Sequence, residues 1–196
     1  MSRSSLAMAL LLAAFAAAAT AKGGAAPAAS DFIRKSCRAT QYPAVCVQSL
    51  ASYGGAGAPP PRSPRELARA ALSVSVDKAR SASTYVGHIC GRGGAVGAGP
   101  VRDCLENMAD SVGHLRDAAQ ELGGNMGHAG SPGFKWHLSN VQTWCSAALT
   151  DENTCLDGLS RGVDAATRSA IRGKIVEVAQ VTSNALALVN RVAPAN

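Results

Sequence analysis

One segment of this chain repeats apolar residues with a strict seven-residue period. Starting at Val101, intervals of four and three residues alternate without interruption as far as Leu122. The series consists of Val101, Leu105, Met108, Val112, Leu115, Ala119 and Leu122. This spacing places one apolar seam along an α-helix, and such a seam is stable only when it packs against other helices. The segment therefore predicts a bundle of helices.

Three further segments have helical spacing. The first begins with a helix-start signal, in which Ser63 is the N-cap, Pro64 the first residue and Glu66 the third. Its predicted seam is Leu72, Val76, Ala79, Ser83, Val86 and Cys90. The segment after the Gly-rich stretch 125–133 runs from about 134 to 159, with inward positions 141, 145, 148 and 155 and a polar interruption at Glu152. The last runs from about 164 to 192, with a seam of Ile171, Ile175, Val178, Thr182, Ala185 and Val189.

No segment reads as a strand. Four long helices that are joined by turns or short loops predict an all-α, up-down-up-down four-helix bundle over residues 64–192. The glycine-rich segment 91–99 separates its first two helices, and the second is expected to open at Pro100.

The N-terminus has the pattern of a secretory signal peptide over residues 1–21. An apolar run from Leu6 to Ala19 follows Arg3, and Ala19-Thr20-Ala21 matches a cleavage site. The alternative is a membrane anchor, but the run is shorter than the ~20 residues that a span requires. We expect a secreted, extracellular protein, with no membrane contact after cleavage and with residues 22–29 disordered.

Residues 30–53 predict a helical hairpin. Ser30 is a plausible N-cap for a helix that ends near Cys37, and Pro43 forces a turn before a second helix from about 44 to 53. Residues 54–63, rich in Gly and Pro, form a linker to the bundle. Because Cys37 and Cys46 flank the turn, a bond between them would stabilise the hairpin by about 3 kcal/mol or slightly less.

The six cysteines suggest disulfides in a secreted protein, although six allow fifteen pairings. Cys104, near the start of the second long helix, and Cys155, near the end of the antiparallel third, are expected at the same level. Their bond would stabilise the fold by about 4 kcal/mol. Cys90, at the end of the first long helix, is expected at the same end of the bundle as Cys104, whereas Cys145 lies ~15 Å along the third helix from Cys155. Since a disulfide requires Cα atoms within about 7 Å, the state of Cys90 and Cys145 is left open: they are two buried free thiols or a third disulfide.

Charge and composition argue against nucleic-acid binding. The chain has a formal net charge of +6, which becomes +5 when Arg3 leaves with the signal. Its basic residues are scattered, and it holds only 3 Phe, 3 Tyr and 2 Trp, so it does not predict a nucleic-acid surface. A basic secreted protein could adhere to acidic matrices such as polyuronates, or the charge could serve solubility alone.

The search for catalytic patterns returns no site. The 4 His show no H-E-x-x-H or Glu-x-x-His spacing, and there is no C-x-x-C motif, so we expect no metal, cofactor or enzymatic activity. Asp103, Glu106 and Asp110 fall on one side of the second long helix. A solvated or partner-binding face is the better interpretation of these carboxylates.

Several motifs together resemble the secreted plant inhibitors of pectin methylesterase and of invertase, a single family of four-helix bundles with an N-terminal hairpin. The matching residues are Phe32-Ile33 with Ser36-Cys37, Thr40-x-Tyr42-Pro43-x-x-Cys46, Asp103-Cys104-Leu-Glu106, Trp144-x-Ser146-Ala-Ala-Leu-Thr150 and Thr154-Cys155-Leu-Asp157-Gly158. The similarity covers residues 31–192. It implies the pairs Cys37–Cys46 and Cys104–Cys155 and is silent on the other two cysteines.

The resemblance implies that the bundle inhibits pectin methylesterase by covering the cleft that binds pectin, in a 1:1 non-covalent complex. Carried over by motif, the candidate partner-binding residues are Glu106, Asp110, Thr154 and Asp157, with Gln142 as a weaker one; Thr154 and Asp157 could equally be helix-end residues in solvent. The alternative is an inhibitor of cell-wall or vacuolar acid invertase. Such inhibitors tend to carry a Pro-Lys-Phe element, whereas this chain has Pro132-Gly133-Phe134-Lys135. A wall protein without inhibitory action is a third hypothesis.

Overall fold

The computed structural model describes residues 31–51, 53, 59–92 and 98–192. The predicted signal peptide, the segment 22–29, the Ser30 cap and the linker residues 54–58 lie outside the described residues. Six helices form the described part, and no strand occurs in it. They are α1 (Asp31–Cys37), α2 (Pro43–Ala51), α3 (Pro64–Arg92), α4 (Ala98–Gly123), α5 (Pro132–Gly158) and α6 (Ala165–Val189). None of these helices has a stretch sufficiently long and apolar to span a bilayer.

The four long helices form a closed antiparallel bundle, as the spacing predicts. α3 packs on α4, α4 on α5, α5 on α6, and α6 returns to α3. Contacts between the ends of helices fix their directions. The Arg65 guanidinium at the start of α3 donates to the Leu122 carbonyl at the end of α4, with N···O distances of 3.0 and 2.9 Å. This side chain therefore also satisfies a carbonyl that the helix end would leave unpaired.

Three of the four long helices begin one or two residues away from their predicted starts. α3 begins at Pro64 as predicted, and Ser63 accepts the Glu66 amide. α4 begins at Ala98, before Pro100, because proline is tolerated anywhere in the first turn, where its missing N–H would have no helical acceptor. α5 begins at Pro132, since Ser131 is its N-cap and accepts the amide of Phe134. α6 begins after Asp164, which caps it.

The predicted seams are correct for α6 and partly wrong for α4. All six predicted α6 residues are buried. On α4 the fully buried line is Val101, Cys104, Met108, Ser111, Leu115, Ala118 and Leu122. Leu105, Val112 and Ala119, which the apolar pattern selected, are only partly buried. Leu105 instead lies towards Gly87 of α3. A methyl group added at Gly87 would lie 3.7 Å from Cδ1 of Leu105, which is ordinary van der Waals contact. On α3, Ser83 and Cys90 are likewise half-buried, and Ala82 is in the core.

On α5 the prediction of a polar interruption is wrong. The buried residues of this helix are Phe134, Leu138, Val141, Cys145, Ala148, Glu152 and Cys155. Glu152 therefore continues the inward seam, and its side chain lies wholly in the core. Its hydroxyl partners on α4 and α6 make this burial tolerable, because each hydrogen bond replaces one that water would supply.

The N-terminal hairpin docks on the bundle through a buried side chain of α6. The Asn184 amide holds the backbone of Tyr42 at both ends: Oδ1 accepts the Tyr42 N–H at 3.0 Å, and Nδ2 donates to the Tyr42 carbonyl at 2.9 Å. Arg191 adds a bond to the Ser36 carbonyl at 3.2 Å. The turn between α1 and α2 is thereby fixed beside the C-terminal half of α6.

Candidate functional site

Two of the predicted partner-binding residues lie on the outer surface of α4. Glu106 and Asp110 are exposed, one helical turn apart. Their orientation follows from the buried line of α4, since Cys104, Met108 and Ser111 take the inward positions of the same two turns. Neither carboxylate takes part in a salt bridge with the residues that the structure describes. Both charges are therefore free to meet a partner.

Thr154 and Asp157 lie on the outer surface of α5, near its C-terminal end. Both are exposed. Asp157 follows Cys155 by two residues, just as Glu106 follows Cys104 by two, and the disulfide joins those cysteines at a Cα–Cα distance of 4.2 Å. The bond thus ties together the two helix segments that carry these carboxylates. We use the name "α4–α5 face" for the surface made by Glu106, Asp110, Thr154 and Asp157.

Hydroxyl groups form the outer side of α5 before Asp157. Ser146, Thr150 and Thr154 each donate to the carbonyl four residues earlier, at 2.9, 3.0 and 2.8 Å. The three hydroxyl donors are therefore satisfied within the helix. A partner would meet small side chains here, which project little from the helix. These residues belong to the motifs shared with the inhibitor family, but the sequence does not predict their hydrogen bonds to the backbone.

Gln142 is separated from the other candidates. Its Nε2 donates to Oδ1 of Asn190 at 2.9 Å, which places the side chain on the α6 side of α5. The side chain is half-buried there. The structure therefore brings Glu106 and Asp110 together on one helix, and Thr154 and Asp157 on its neighbour, but it sets Gln142 at a different boundary of the bundle.

Two His–carboxylate pairs join α4 and α5 along their length. His114 Nδ1 lies 3.0 Å from Asp151 Oδ2, and His137 Nδ1 lies 2.7 Å from Glu121 Oε1. The hydrogen bond from His137, assisted by one from Asn140, lowers the pKa of Glu121. The spacing of these histidines matches no metal-binding motif, and it does not predict their partners either, because each pair joins residues far apart in the chain.

One exposed aromatic residue extends the outer surface of α5. Trp136 is 62% exposed, near the start of the helix, and its ring makes an edge contact with His137 at 4.9 Å between centroids. A tryptophan in solvent is an unusual use of a large apolar side chain, and tryptophan is the residue most enriched at energetically dominant interface positions. No motif quoted above contains Trp136, but its helical spacing from the buried Phe134 and Leu138 places it on the outward side of α5.

The cysteines are resolved into two bonds and two thiols. Cys37–Cys46 has a Cα–Cα distance of 5.6 Å, and Cys104–Cys155 is the second bond. Cys90 is a half-buried free thiol and Cys145 a buried one. Burial, with a smaller contribution from the charge of Glu152, raises the pKa of Cys145 to about 12. Cys145 is therefore an inert core residue in the folded protein.

Two observations limit what chemistry the chain offers. Across the residues that the structure describes, no group of three or more His, Cys, Asp or Glu is arranged to hold a metal ion. Phe134 of the Pro132-Gly133-Phe134-Lys135 segment is only 5% exposed and belongs to the first turn of α5. Its ring is part of the core and is not presented to solvent.

Comparisons with known proteins agree with this architecture. The family model described as plant invertase/pectin methylesterase inhibitor matches residues 31–188. Pectinesterase inhibitor 9 of Arabidopsis thaliana is 44% identical over 168 residues, which cover 83% of this chain and 81% of that protein. The "21 kDa protein" of Daucus carota is 42% identical over 196 residues, covering 98% of this chain and 96% of that protein.

A solved structure shares the fold at lower identity. The crystal structure of a mutant form of a pectin methylesterase inhibitor from Arabidopsis superposes with a TM-score of 0.63 at 21% identity, covering 85% of this chain and 100% of that one. At this identity the superposition shows the fold alone. The family model and the two relatives cover nearly all of the described bundle and hairpin, and the chain belongs to the plant invertase/pectin methylesterase inhibitor family.

Proposed function

We propose that this protein inhibits a pectin methylesterase by forming a 1:1 non-covalent complex that covers the enzyme's pectin-binding cleft. The observation that carries this proposal is the 44% identity with a relative named as a pectinesterase inhibitor, over 83% of the chain. The chain is an inhibitor and not an enzyme. A rigid bundle whose helices are tied by a disulfide and by His–carboxylate pairs suits this role, because little ordering is needed on binding.

The α4–α5 face, extended by Trp136, is the proposed contact surface. Glu106, Asp110 and Asp157 supply unpaired negative charges, and the small hydroxyl residues of α5 between them and Trp136 allow the helix to approach a partner closely. Charges at the edge of an interface chiefly set orientation and association rate, whereas a buried tryptophan dominates affinity. Binding should therefore weaken with salt, and Trp136 should contribute the most.

Inhibition of an acid invertase is the less favoured alternative. An element that enters another enzyme's active site must present its aromatic ring to solvent. Phe134 is buried in the core, and its amide is occupied by Ser131. The segment Pro132–Lys135 therefore lacks the exposed ring that the invertase hypothesis requires.

We further propose that the protein acts outside the cell, in the cell wall. The formal net charge, +6 for the whole chain and +5 once Arg3 leaves with the signal, favours adhesion to acidic pectin, which would keep the inhibitor near the substrate of its target. Retention on immobilised polygalacturonate that disappears as salt is raised would support this adhesion. Free passage through the same column at low salt would rule it out.

The deciding experiment is a titration of the mature, oxidised protein against a pectin methylesterase and, in parallel, against an acid invertase. We expect stoichiometric loss of pectin methylesterase activity with invertase activity unchanged. Loss of invertase activity alone would replace the proposal by the alternative. Loss of neither would favour a wall protein without inhibitory action.

A further inference from the structure

A carboxyl group lies inside the four-helix bundle, away from the α4–α5 face. Glu152 has no solvent-exposed surface. Its Oε1 accepts hydrogen bonds from the hydroxyls of Ser111 on α4 and Thr182 on α6, both at 2.9 Å. Its Oε2 has no hydrogen-bond partner among the described residues. The group is therefore held at one oxygen by two neighbouring helices, and its other oxygen is left without a partner among the described residues.

The groups on α4 and α5 near Glu152 provide no positive charge to it. Asp151, the preceding residue, raises the pKa of Glu152 through its own negative charge. His114 of α4 is engaged with Asp151. Cys145, two turns earlier in the seam of α5, is a neutral thiol, since burial raises its pKa to about 12.

The charged groups of the other two helices lie on the outside. On α6 the group that faces Glu152 is the Thr182 hydroxyl, and Glu177 is half-exposed and paired with Lys78 of α3. On α3, Asp77 and Arg80 are exposed. No described salt bridge includes Glu152.

A carboxylate in this position would be charged, buried and unpaired. Ionisation would be opposed by the loss of water and only partly offset by two hydroxyl donors. The balance raises the pKa of Glu152 to about 7: burial is the largest cause, and the bonds from Ser111 and Thr182 act in the opposite direction. In the unfolded chain the same group would have the ordinary pKa of a glutamate.

We propose that the folded bundle holds a proton on Glu152 and releases it to solvent when the bundle opens, so that mildly acidic medium stabilises the protein and neutral medium destabilises it. One proton is taken up from solvent on folding and returned on unfolding. Because the folded state binds more protons than the unfolded state between the two pKa values, stability falls as pH rises from about 4.5 to about 7. Above that window the contribution of Glu152 is constant.

The inference concerns the free chain and does not depend on the proposed inhibition. Urea unfolding of the mature, oxidised protein, measured by circular dichroism near pH 5 and near pH 7.5, tests it. For the wild type we expect the equilibrium constant of unfolding to rise about fiftyfold between the two conditions. For Glu152→Gln, which keeps the shape and removes the titration, most of that rise should vanish.

A matched control is Glu177→Gln, which removes a half-exposed carboxylate at the surface of α6. This variant should retain the wild-type response to pH. An equal response of wild type and Glu152→Gln would overturn the proposal, and so would a response that disappears in Glu177→Gln instead.

A second measurement needs no variant and covers the case in which Glu152→Gln does not fold. Carbon-13 labelling of the glutamate carboxyl groups allows each to be titrated by NMR in the native protein. One carboxyl carbon, that of Glu152, should titrate near neutral pH. If no glutamate of the folded protein titrates near neutral pH, the core proton does not exist.

Discussion

Two carboxyl groups of helix α5 stand five residues apart in opposite environments. Asp157 lies on the outer surface, solvated and without a salt bridge to any described residue. Glu152 lies wholly in the core and shares one oxygen with hydroxyls of two other helices. The outward group is available for a partner, whereas the inward one is linked to folding. The comparison shows that the face of the helix, and not the residue type, decides what a carboxylate does.

The largest expected effect comes from breaking the disulfide that joins α4 to α5 beside Asp157. Replacing both Cys104 and Cys155 by Ser opens a bond between residues 51 apart and should reduce the free energy of unfolding by about 4 kcal/mol. The matched change at Cys37 and Cys46, which are 9 apart, should cost about 3 kcal/mol or less. Denaturant unfolding of both variants measures the difference. A larger loss from the hairpin bond would contradict this ranking.

The next effect concerns only Trp136, which extends the α4–α5 face. Trp136→Ala should weaken inhibition of the target enzyme by about thirtyfold, equivalent to about 2 kcal/mol of binding. Because the ring is 62% exposed, the free energy of unfolding should hardly change. The readout is an inhibition titration beside thermal unfolding. Tyr53→Ala serves as a control, since Tyr53 is also exposed but lies next to α2, remote in sequence from the face. Equal losses from both variants would indicate a general effect of surface aromatics.

A third change tests the buried environment of Glu152. Thr182→Val removes one of the two hydroxyl donors to Glu152 with little change of shape. We expect a loss of about 2 kcal/mol in the free energy of unfolding near neutral pH, and a smaller loss in acid, where the carboxyl is protonated. Since that bond lowers the pKa of Glu152, the pH at which stability levels off should move upward. Urea unfolding over a pH series measures both. A loss that is independent of pH would mean that only packing was disturbed.

The smallest expected effect is at Asp157. Asp157→Ala should weaken inhibition by about fivefold, or about 1 kcal/mol, because a charge at the edge of an interface is well solvated before binding. Its thermal transition should stay nearly unchanged. Inhibition measured at low and at high salt separates charge from shape: the difference from wild type should shrink as salt rises. An unfolded variant, or one that inhibits as well as the wild type at low salt, would contradict the prediction.

The sequence predicted the bundle better than it predicted the orientation of each helix. Every member of the α6 seam is buried as expected. On α4, the pattern chose Leu105 and Val112, whereas Cys104 and Ser111 take the inward positions. These neighbours differ by one residue, or about 100° around the helix, and both lie within an apolar stripe of about that width. Contacts across the bundle choose between them.

The candidate partner-binding residues show the same limit. The motifs selected Glu106, Asp110, Thr154 and Asp157, which are all exposed, and more weakly Gln142, which is half-buried at the boundary with α6. Whether they contact an enzyme stays a prediction. Trp136 was missed because no motif contains it, although its exposure follows from the helical phase. The hairpin anchor at Asn184 was missed for a different reason, since its partner Tyr42 is 142 residues away.

The sequence by itself determined the number of helices, their approximate limits and the broad apolar stripe of each, because these properties depend on spacing within one segment. Tertiary structure alone decided that Ser111 faces inward, that Glu152 is buried instead of interrupting the seam, and that Cys90 and Cys145 stay apart. Each of these outcomes depends on what another helix brings to the same level. A carboxyl group becomes a core residue only when Ser111 and Thr182 meet it there, and no local pattern contains all three.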